Sequence, residues 1–236
     1  MAKPSDLSVV PRALDVLESG AAELGLHWNA GLTASFEKYL RLLIEWNQKF
    51  NLTAITDPVE IAQKHFLDSL TLVKGCDFSR APMHMADVGT GAGFPGLPIK
   101  IFFPHVDLTL IDSVGKKIRF VREALRELKI EKAQAVQGRA EELGAPGQPL
   151  HEKFDFVAAR AVGDLPTLIQ YGLPLLKPAG RLIAMKTPAA HEEWETSQKI
   201  IVRNGGVAFK PVSFFLPTTD AARTFFIVAK SARGRV

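Results

Sequence analysis

The chain has 236 residues, of which 47% are apolar and 23% charged, a globular mix that excludes a disordered tail, a collagen-like chain and a coiled-coil rod. That length suits one large domain, or one with an appendage, and buries most of the surface without staples. The single cysteine, Cys76, forms no internal disulfide and no paired CxxC zinc site, so a reducing cytoplasm is the expected location.

The N-terminal segment lacks the apolar core of a secretory signal. No stretch approaches the roughly 18 apolar residues of a membrane span, so no membrane partner is expected. Residues 1–80 read as helical. Arg12–Leu26 carries a faint helical repeat ending near Gly25. Phe36, Leu40, Leu43, Ile44, Asn47 and Phe50 follow the 3.6-residue period, with Thr33 as N-cap. A further helix, Val59–Val73, follows the Asp57-Pro58 break, and residues 75–82 form a linker.

From Met83 short apolar runs alternate with helices. Strands are expected at Met83–Val88, Val106–Ile111, Ala133–Val136, Phe154–Ala158 and Gly180–Met185. Between them fall helices at 96–102, 114–128, 139–143, 165–175 and 192–202, the second with Val114, Ile118, Val121, Leu125 and Leu128 on one stripe. Two last strands, Val207–Phe215 and Thr224–Ala229, have no helix between them and suggest an antiparallel hairpin at one edge. Such alternation gives βαβ units and a parallel sheet: about seven strands, helices on both faces and a small helical domain in front. Phe209, Phe214, Phe215, Phe225 and Phe226 are expected to serve mostly sheet packing.

The run Asp87-Val88-Gly89-Thr90-Gly91-Ala92-Gly93-Phe94-Pro95-Gly96 carries the most chemistry. It follows the first strand, at the edge where open α/β sheets bind ligands, and its glycines admit positive φ and close backbone approach. Asp112 ends the next strand, where a carboxylate can hold a ribose hydroxyl pair. Residues 91–96 also satisfy the GxGxxG pattern of dinucleotide binding. Asp87 argues against that use, because a carboxylate there repels a pyrophosphate and favours a sulfonium or an amine. A glycine turn without a ligand is the plain alternative, but three glycines flanked by two spaced carboxylates exceed what a turn requires.

With Leu97-Pro98-Ile99 after it, this run resembles motif I of class I S-adenosylmethionine methyltransferases. Asn51-Leu52-Thr53-Ala54-Ile55, His65-Phe66-Leu67-Asp68-Ser69-Leu70, the Phe94–Pro98 ending and Leu110–Lys117 narrow the likeness, as do Gly138–Glu142, Ala159-Arg160-Ala161, Met185-Lys186 and Arg223. Over most of its length the chain resembles the bacterial small-subunit ribosomal RNA guanine-N7 methyltransferase family, also called glucose-inhibited division protein B. Lys186-Thr187-Pro188 departs from the Lys-Gly usual there. The resemblance implies an α/β, class I methyltransferase-like (Rossmann-like), mostly parallel seven-stranded sheet in residues 81–236, behind a helical region in residues 1–80. It implies S-adenosylmethionine as cofactor, held by Gly89, Phe94, Ala140, Glu141 and Arg160, with Gly91, Gly93 and Asp112 completing the pocket. Ala140 and Glu141 would hold the adenine end and Asp112 the ribose. The implied partner is 16S ribosomal RNA or the small ribosomal subunit, with no metal.

Guanine N7 has a lone pair and no proton, so its methylation needs alignment and exclusion of water, not a general base. No catalytic side chain is therefore expected. Arg139, Lys186 and Arg223 are the expected substrate-binding residues, with Arg160 a further candidate for RNA contact, since an Arg or Lys donor reads guanine O6; an ion-paired surface cation is the alternative for each. Charge supports a polyanion partner weakly: residues 181–236 hold 9 Lys/Arg and 4 Asp/Glu, +5 of the net +4, the rest summing to −1. Arg119, Arg122, Arg126 and Lys129, interleaved with Glu123, Glu127 and Glu131, read as a solvated helix face. His65 and Asp68 stand three apart without a third ligand, so a structural role near the cofactor mouth is expected of them. The competing functions are an NAD(P)-dependent oxidoreductase, a methyltransferase with another substrate, and a non-enzymatic RNA-binding protein.

Overall fold

The computed structural model describes residues 7–79 and 81–232. Residues 1–6, part of the segment read for a signal, and Arg80 of the linker lie outside the described residues. The helical region opens with α1 (Val10–Glu23), which buries Val10, Ala13, Leu14, Leu17 and Ala21 along one face. In α2 (Ala30–Phe50) the N-cap is Asn29, whose side chain accepts the Leu32 N–H at 3.0 Å. Thr33, the expected cap, lies inside the first turn and its hydroxyl accepts from Trp28 Nε1 at 2.8 Å. Asn51 ends α2 at φ 47, a left-handed cap that asparagine tolerates.

The expected helix after Asp57-Pro58 is composite. It begins as α3 (Pro58–Ile61), widens into a π-helical stretch over Ala62–Leu67, returns as α4 (Asp68–Leu70) and closes in a 3₁₀ turn over Thr71–Lys74. Wide turns of this kind concentrate at functional sites, and this one carries Lys64 and His65.

The sheet begins with β1 (Met83–Val88), α5 (Gly96–Phe102), β2 (Val106–Asp112), α6 (Gly115–Glu127), β3 (Ala133–Gln137), α7 (Ala140–Leu143), β4 (Phe154–Arg160), α8 (Leu165–Leu175) and β5 (Leu176–Lys186). It ends with α9 (His191–Arg203), β6 (Gly206–Ala208), β7 (Val212–Phe215) and β8 (Ala222–Lys230). Strand order is β3-β2-β1-β4-β5-β8-β6, with β7 also on β8. The first five strands pair in parallel, and β8 runs antiparallel to β5, β6 and β7.

Among the described residues the sheet therefore has eight strands rather than seven. The expected strand Val207–Phe215 breaks over 209–211, where Pro211 has no N–H to give a ladder, and its two pieces pair with different stretches of β8. Val114, expected on the apolar stripe of α6, is 38% exposed at the N-cap; Ile118, Val121 and Leu125 do face inward. The phenylalanines divide as well: Phe225 and Phe226 are buried, whereas Phe215 is 69% exposed.

One sheet face and the helical region share an apolar core, in which Leu17, Phe36, Leu43 and Phe66 meet Met85, Leu108, Leu110 and Phe225. The other face packs under α8 and α9 through Val157, Leu168, Leu182, Trp194 and Phe226. Each such buried side chain contributes about 1.5–3 kcal/mol. Strand order reverses between β1 and β4, so their carboxyl ends open into the crevice where this architecture places ligands.

Candidate functional site: two adjoining clefts

Three residues of the loop after β1 adopt positive φ: Gly89 at 68°, Gly91 at 59° and Gly93 at 97°. The demand behind each glycine differs. A Cβ on Gly89 would stand 2.3 Å from the Val162 side chain, and one on Gly93 would collide with Leu97 and the Tyr39 hydroxyl. A Cβ on Gly91 would meet only the Gly89 carbonyl oxygen, at 3.9 Å. Gly89 and Gly93 thus serve packing, while Gly91 leaves bare backbone facing open space.

Two carboxylates tie the loop down. Asp87 is fully buried; its Oδ2 accepts from Gly96 N at 2.7 Å and Thr90 Oγ1 at 2.6 Å. Its Oδ1 has no partner. Burial pushes the Asp87 carboxyl up to about 7, against the opposing pull of the Thr90 and Gly96 donors and of Arg160. Asp112 accepts from Gly91 N at 2.9 Å through Oδ2 and from Val114 N at 2.8 Å through Oδ1. Lys117 Nζ also stands 3.6 Å from Oδ2, while Oδ1 retains a further lone pair. From the helical region, the buried Tyr39 donates its hydroxyl to the Ala92 carbonyl and stacks on Phe66. Burial raises the Tyr39 pKa well above its ordinary value, so it stays a donor.

Beside this loop lies a cleft of about 280 Å³, lined among others by Gly89, Asp112, Arg139, Ala140, Glu141 and Tyr171. Open space over Gly91, the Asp112 carboxylate in the cleft wall and the buried Asp87 carboxylate beneath the loop suit a cationic nucleoside such as S-adenosylmethionine. They suit a pyrophosphate badly.

The second cleft, of about 520 Å³, lies between the π-helical stretch and the carboxyl ends of β4 and β5. Its centre is Asp68, whose side chain is only 5% exposed. Asp68 Oδ2 accepts from Arg160 Nη1 at 3.1 Å and Oδ1 from Arg223 Nε at 2.7 Å. Arg160 Nη1 also donates to the Lys64 carbonyl at 2.8 Å, and its guanidinium lies 5.1 Å over the Phe94 ring. Arg160 Nη2 stands 3.1 Å from His65 Nδ1. A guanidinium cannot accept, so Nδ1 accepts in this contact; the same nitrogen also stands 3.1 Å from the Lys64 carbonyl, and Nε2 bonds with Thr53 Oγ1 at 2.8 Å. Burial first, then Arg160, pushes the His65 pKa down to about 3, and the ring stacks on Phe94 at 4.7 Å as a neutral group. Lys186 donates to the Gly163 carbonyl and to Glu193 Oε2, both at 2.8 Å.

The structure distributes the expected site residues over both clefts. Gly89, Asp112, Ala140 and Glu141 line the first, and Gly91 and Gly93 shape its loop. Phe94 and Arg160 stand on the side of the second. Lys186 and Arg223 line the second cleft together, whereas Arg139 lines the first and pairs with Glu141 at 2.8 Å. Sequence reasoning missed Asp68 as the anchor of two arginines, Glu193 as the partner of Lys186, and Val162 and Tyr171 as cleft walls. The segment His65–Leu70 was visible as a motif, but its carboxylate lies 92 and 155 residues from its two arginines. Among the described residues no group of three or more His, Cys, Asp or Glu could hold a metal ion, and no helix is long and apolar enough to cross a membrane.

A sheet with this order, a positive-φ glycine loop after β1 and an acidic residue ending β2 match the architecture of S-adenosylmethionine-dependent methyltransferases. Known structures share the architecture: a SAM-dependent methyltransferase from Aquifex aeolicus superposes with a TM-score of 0.51 at 19% identity, over 73% of this chain and 93% of that one. The [4+2]-cyclase SpnF also superposes, with a TM-score of 0.58 at 14% identity over 86% of this chain and 97% of its own, so the fold alone does not decide the reaction. Sequence does. The profile of the rRNA small subunit methyltransferase G family matches residues 32–215. The ribosomal RNA small subunit methyltransferase G of Alkaliphilus metalliredigens is 40% identical over 215 residues, 91% of this chain and 89% of that protein. The chain belongs to the rRNA small subunit methyltransferase G family and is a methyltransferase. That leaves no support for the NAD(P) reading of its glycine pattern.

Proposed function

We propose that the protein transfers a methyl group to N7 of a guanine in small-subunit (16S) ribosomal RNA, in the cytoplasm, with free RNA or the small ribosomal subunit as substrate. The cofactor occupies the glycine cleft and the guanine the adjoining one. Bound there, S-adenosylmethionine supplies an activated methyl group. Asp87, buried beneath the loop, favours positive charge through its carboxylate, Asp112 accepts ribose hydroxyls, and Ala140 and Glu141 border the adenine end. Residues 1–80 act as a helical region that braces the loop through Tyr39 and walls the second cleft with Lys64, His65 and Asp68.

One observation supports N7 over other acceptors: the second cleft is rich in donors and poor in bases. Its carboxylates, Asp68 and Glu193, are engaged by arginines and by Lys186. Its histidine is neutral with both ring nitrogens occupied. An exocyclic amine or ribose hydroxyl must lose a proton, and this cleft has no group poised to take it, whereas N7 has none to lose. The arginine donors suit guanine O6, and the planar Arg160 guanidinium lies over the Phe94 ring, 5.1 Å from its centre. The deciding experiment maps methylated nucleotides in ribosomal RNA from cells with and without the protein. A missing N7-methylguanine at one small-subunit position, restored by the gene, is the expected result; loss of a different modification would overturn the assignment.

A further inference from the structure

Phe215 ends β7 with 69% of its surface exposed. Its neighbour Phe214 points the other way, packed edge-on against Phe225 at 4.8 Å with the Lys74 ammonium 5.5 Å from its ring centre. Strand alternation puts Ser213 and Phe215 on the outward side, where burial asks for no aromatic ring. One exposed phenylalanine is ordinary on a protein surface; its position sets this one apart. Strands β5 and β7 both run antiparallel to β8, so they point the same way. Phe215 therefore lies at the same sheet edge as Arg160 and Lys186, the edge that bears the second cleft. It pairs across the ladder with Ala222, the residue before Arg223, while Lys186 pairs with Thr224. With strands about 4.8 Å apart and a two-residue offset of about 7 Å along β8, the end of β7 lies about 12 Å from that of β5, within reach of a nucleotide flanking one held in the cleft.

We propose that Phe215 is a stacking platform for an unpaired base next to the target guanine, making the β7–β8 edge a specificity surface for single-stranded RNA. This rests on the ribosomal RNA reading above. RNA bases outside helices are held on aromatic faces, and the surrounding segment, residues 181–236, carries the chain's positive excess, with 9 Lys/Arg against 4 Asp/Glu. A ring pointing outward from a segment with a positive charge excess fits that ligand better than an uncharged protein surface.

The test uses small ribosomal subunits from cells lacking the protein, labelled cofactor and the full-length enzyme. Phe215→Ala should raise KM for the subunits about tenfold, which equals about 1.4 kcal/mol and matches the loss of one base stack. Its kcat, thermal midpoint and S-adenosylhomocysteine affinity should stay at the wild-type values, because the side chain is exposed and outside both clefts. Phe215→Trp should keep the wild-type KM. Phe215→Leu, apolar but without a ring face, should match Phe215→Ala. An unchanged KM in Phe215→Ala, full rescue by leucine, or a loss confined to kcat would each overturn the proposal. A wild-type enzyme unable to methylate guanine in these subunits would refute the functional reading instead.

Discussion

Replacing Asp68 by alanine should be the most damaging single change at the second cleft. The carboxylate is 5% exposed and holds two guanidinium groups that are themselves only 15% and 19% exposed. Deleting it leaves both arginines facing one another across the emptied position. Breaking a buried pair by removing one partner costs about 3–5 kcal/mol. Both arginines reach the solvent of the cleft, which places the expected loss at the lower end, about 3 kcal/mol. For a chain of this size each kcal/mol lowers the thermal midpoint by about 2–4 °C, so a drop of about 6–12 °C is expected. Asp68→Asn keeps an acceptor oxygen without the charge and should lose about half as much. Urea unfolding followed by far-ultraviolet circular dichroism measures the difference, with the slope m serving as the check that the transition stays two-state. Arg223→Ala in the Asp68→Ala background should recover part of the loss by removing one of the two facing cations. A destabilisation below about 1 kcal/mol with unchanged m would show that Asp68 does not anchor the arginines.

Three further outcomes follow from the loop and its neighbours. Gly91→Val should abolish S-adenosylmethionine binding while unfolding remains cooperative, since the position has φ 59° but no protein atom closer than 3.9 Å to a Cβ; normal affinity in calorimetry would remove this loop from the cofactor site. Asp87, pushed up to about 7 by burial, binds more protons folded than unfolded, so cofactor-free protein should lose stability as pH rises from about 4 to 7. Binding of a cationic cofactor favours the ionised carboxylate, so affinity should rise through pH 7 with proton release and the dependence should vanish in Asp87→Asn; equal dissociation constants at pH 5.5 and 8 would contradict this. His65, pushed down to about 3, does not titrate near neutrality, so the single-turnover methyl-transfer rate at saturating cofactor should be flat from about pH 6 to 8.5, in wild type and in His65→Gln alike. A log-linear rise lost in the variant would reveal a required base.

Much of this protein was legible along the chain. Helical repeats and alternating apolar runs marked β1, α5 and α8 at their observed ends, because hydrophobic period is a local property of sequence. The glycine loop with Asp87 and Asp112 declared a ligand edge, because each strand–turn–helix unit delivers its own turn to the same side of a parallel sheet. Local pattern could not show the break at Pro211, since each half of 207–215 reads as strand and only β8 reveals two separate pairings. Nor could it separate the clefts. Arg139 and Arg223 look equivalent as basic residues near strand ends, yet one pairs with Glu141 two residues away and the other with Asp68, 155 residues away. Sequence determined which residues were available for chemistry and the ligand edge of the sheet they approach. Tertiary structure decided their charge and partners, because burying His65, Asp68 and Asp87 among groups from distant segments sets which donors are spent, which proton is held and which oxygen is left free.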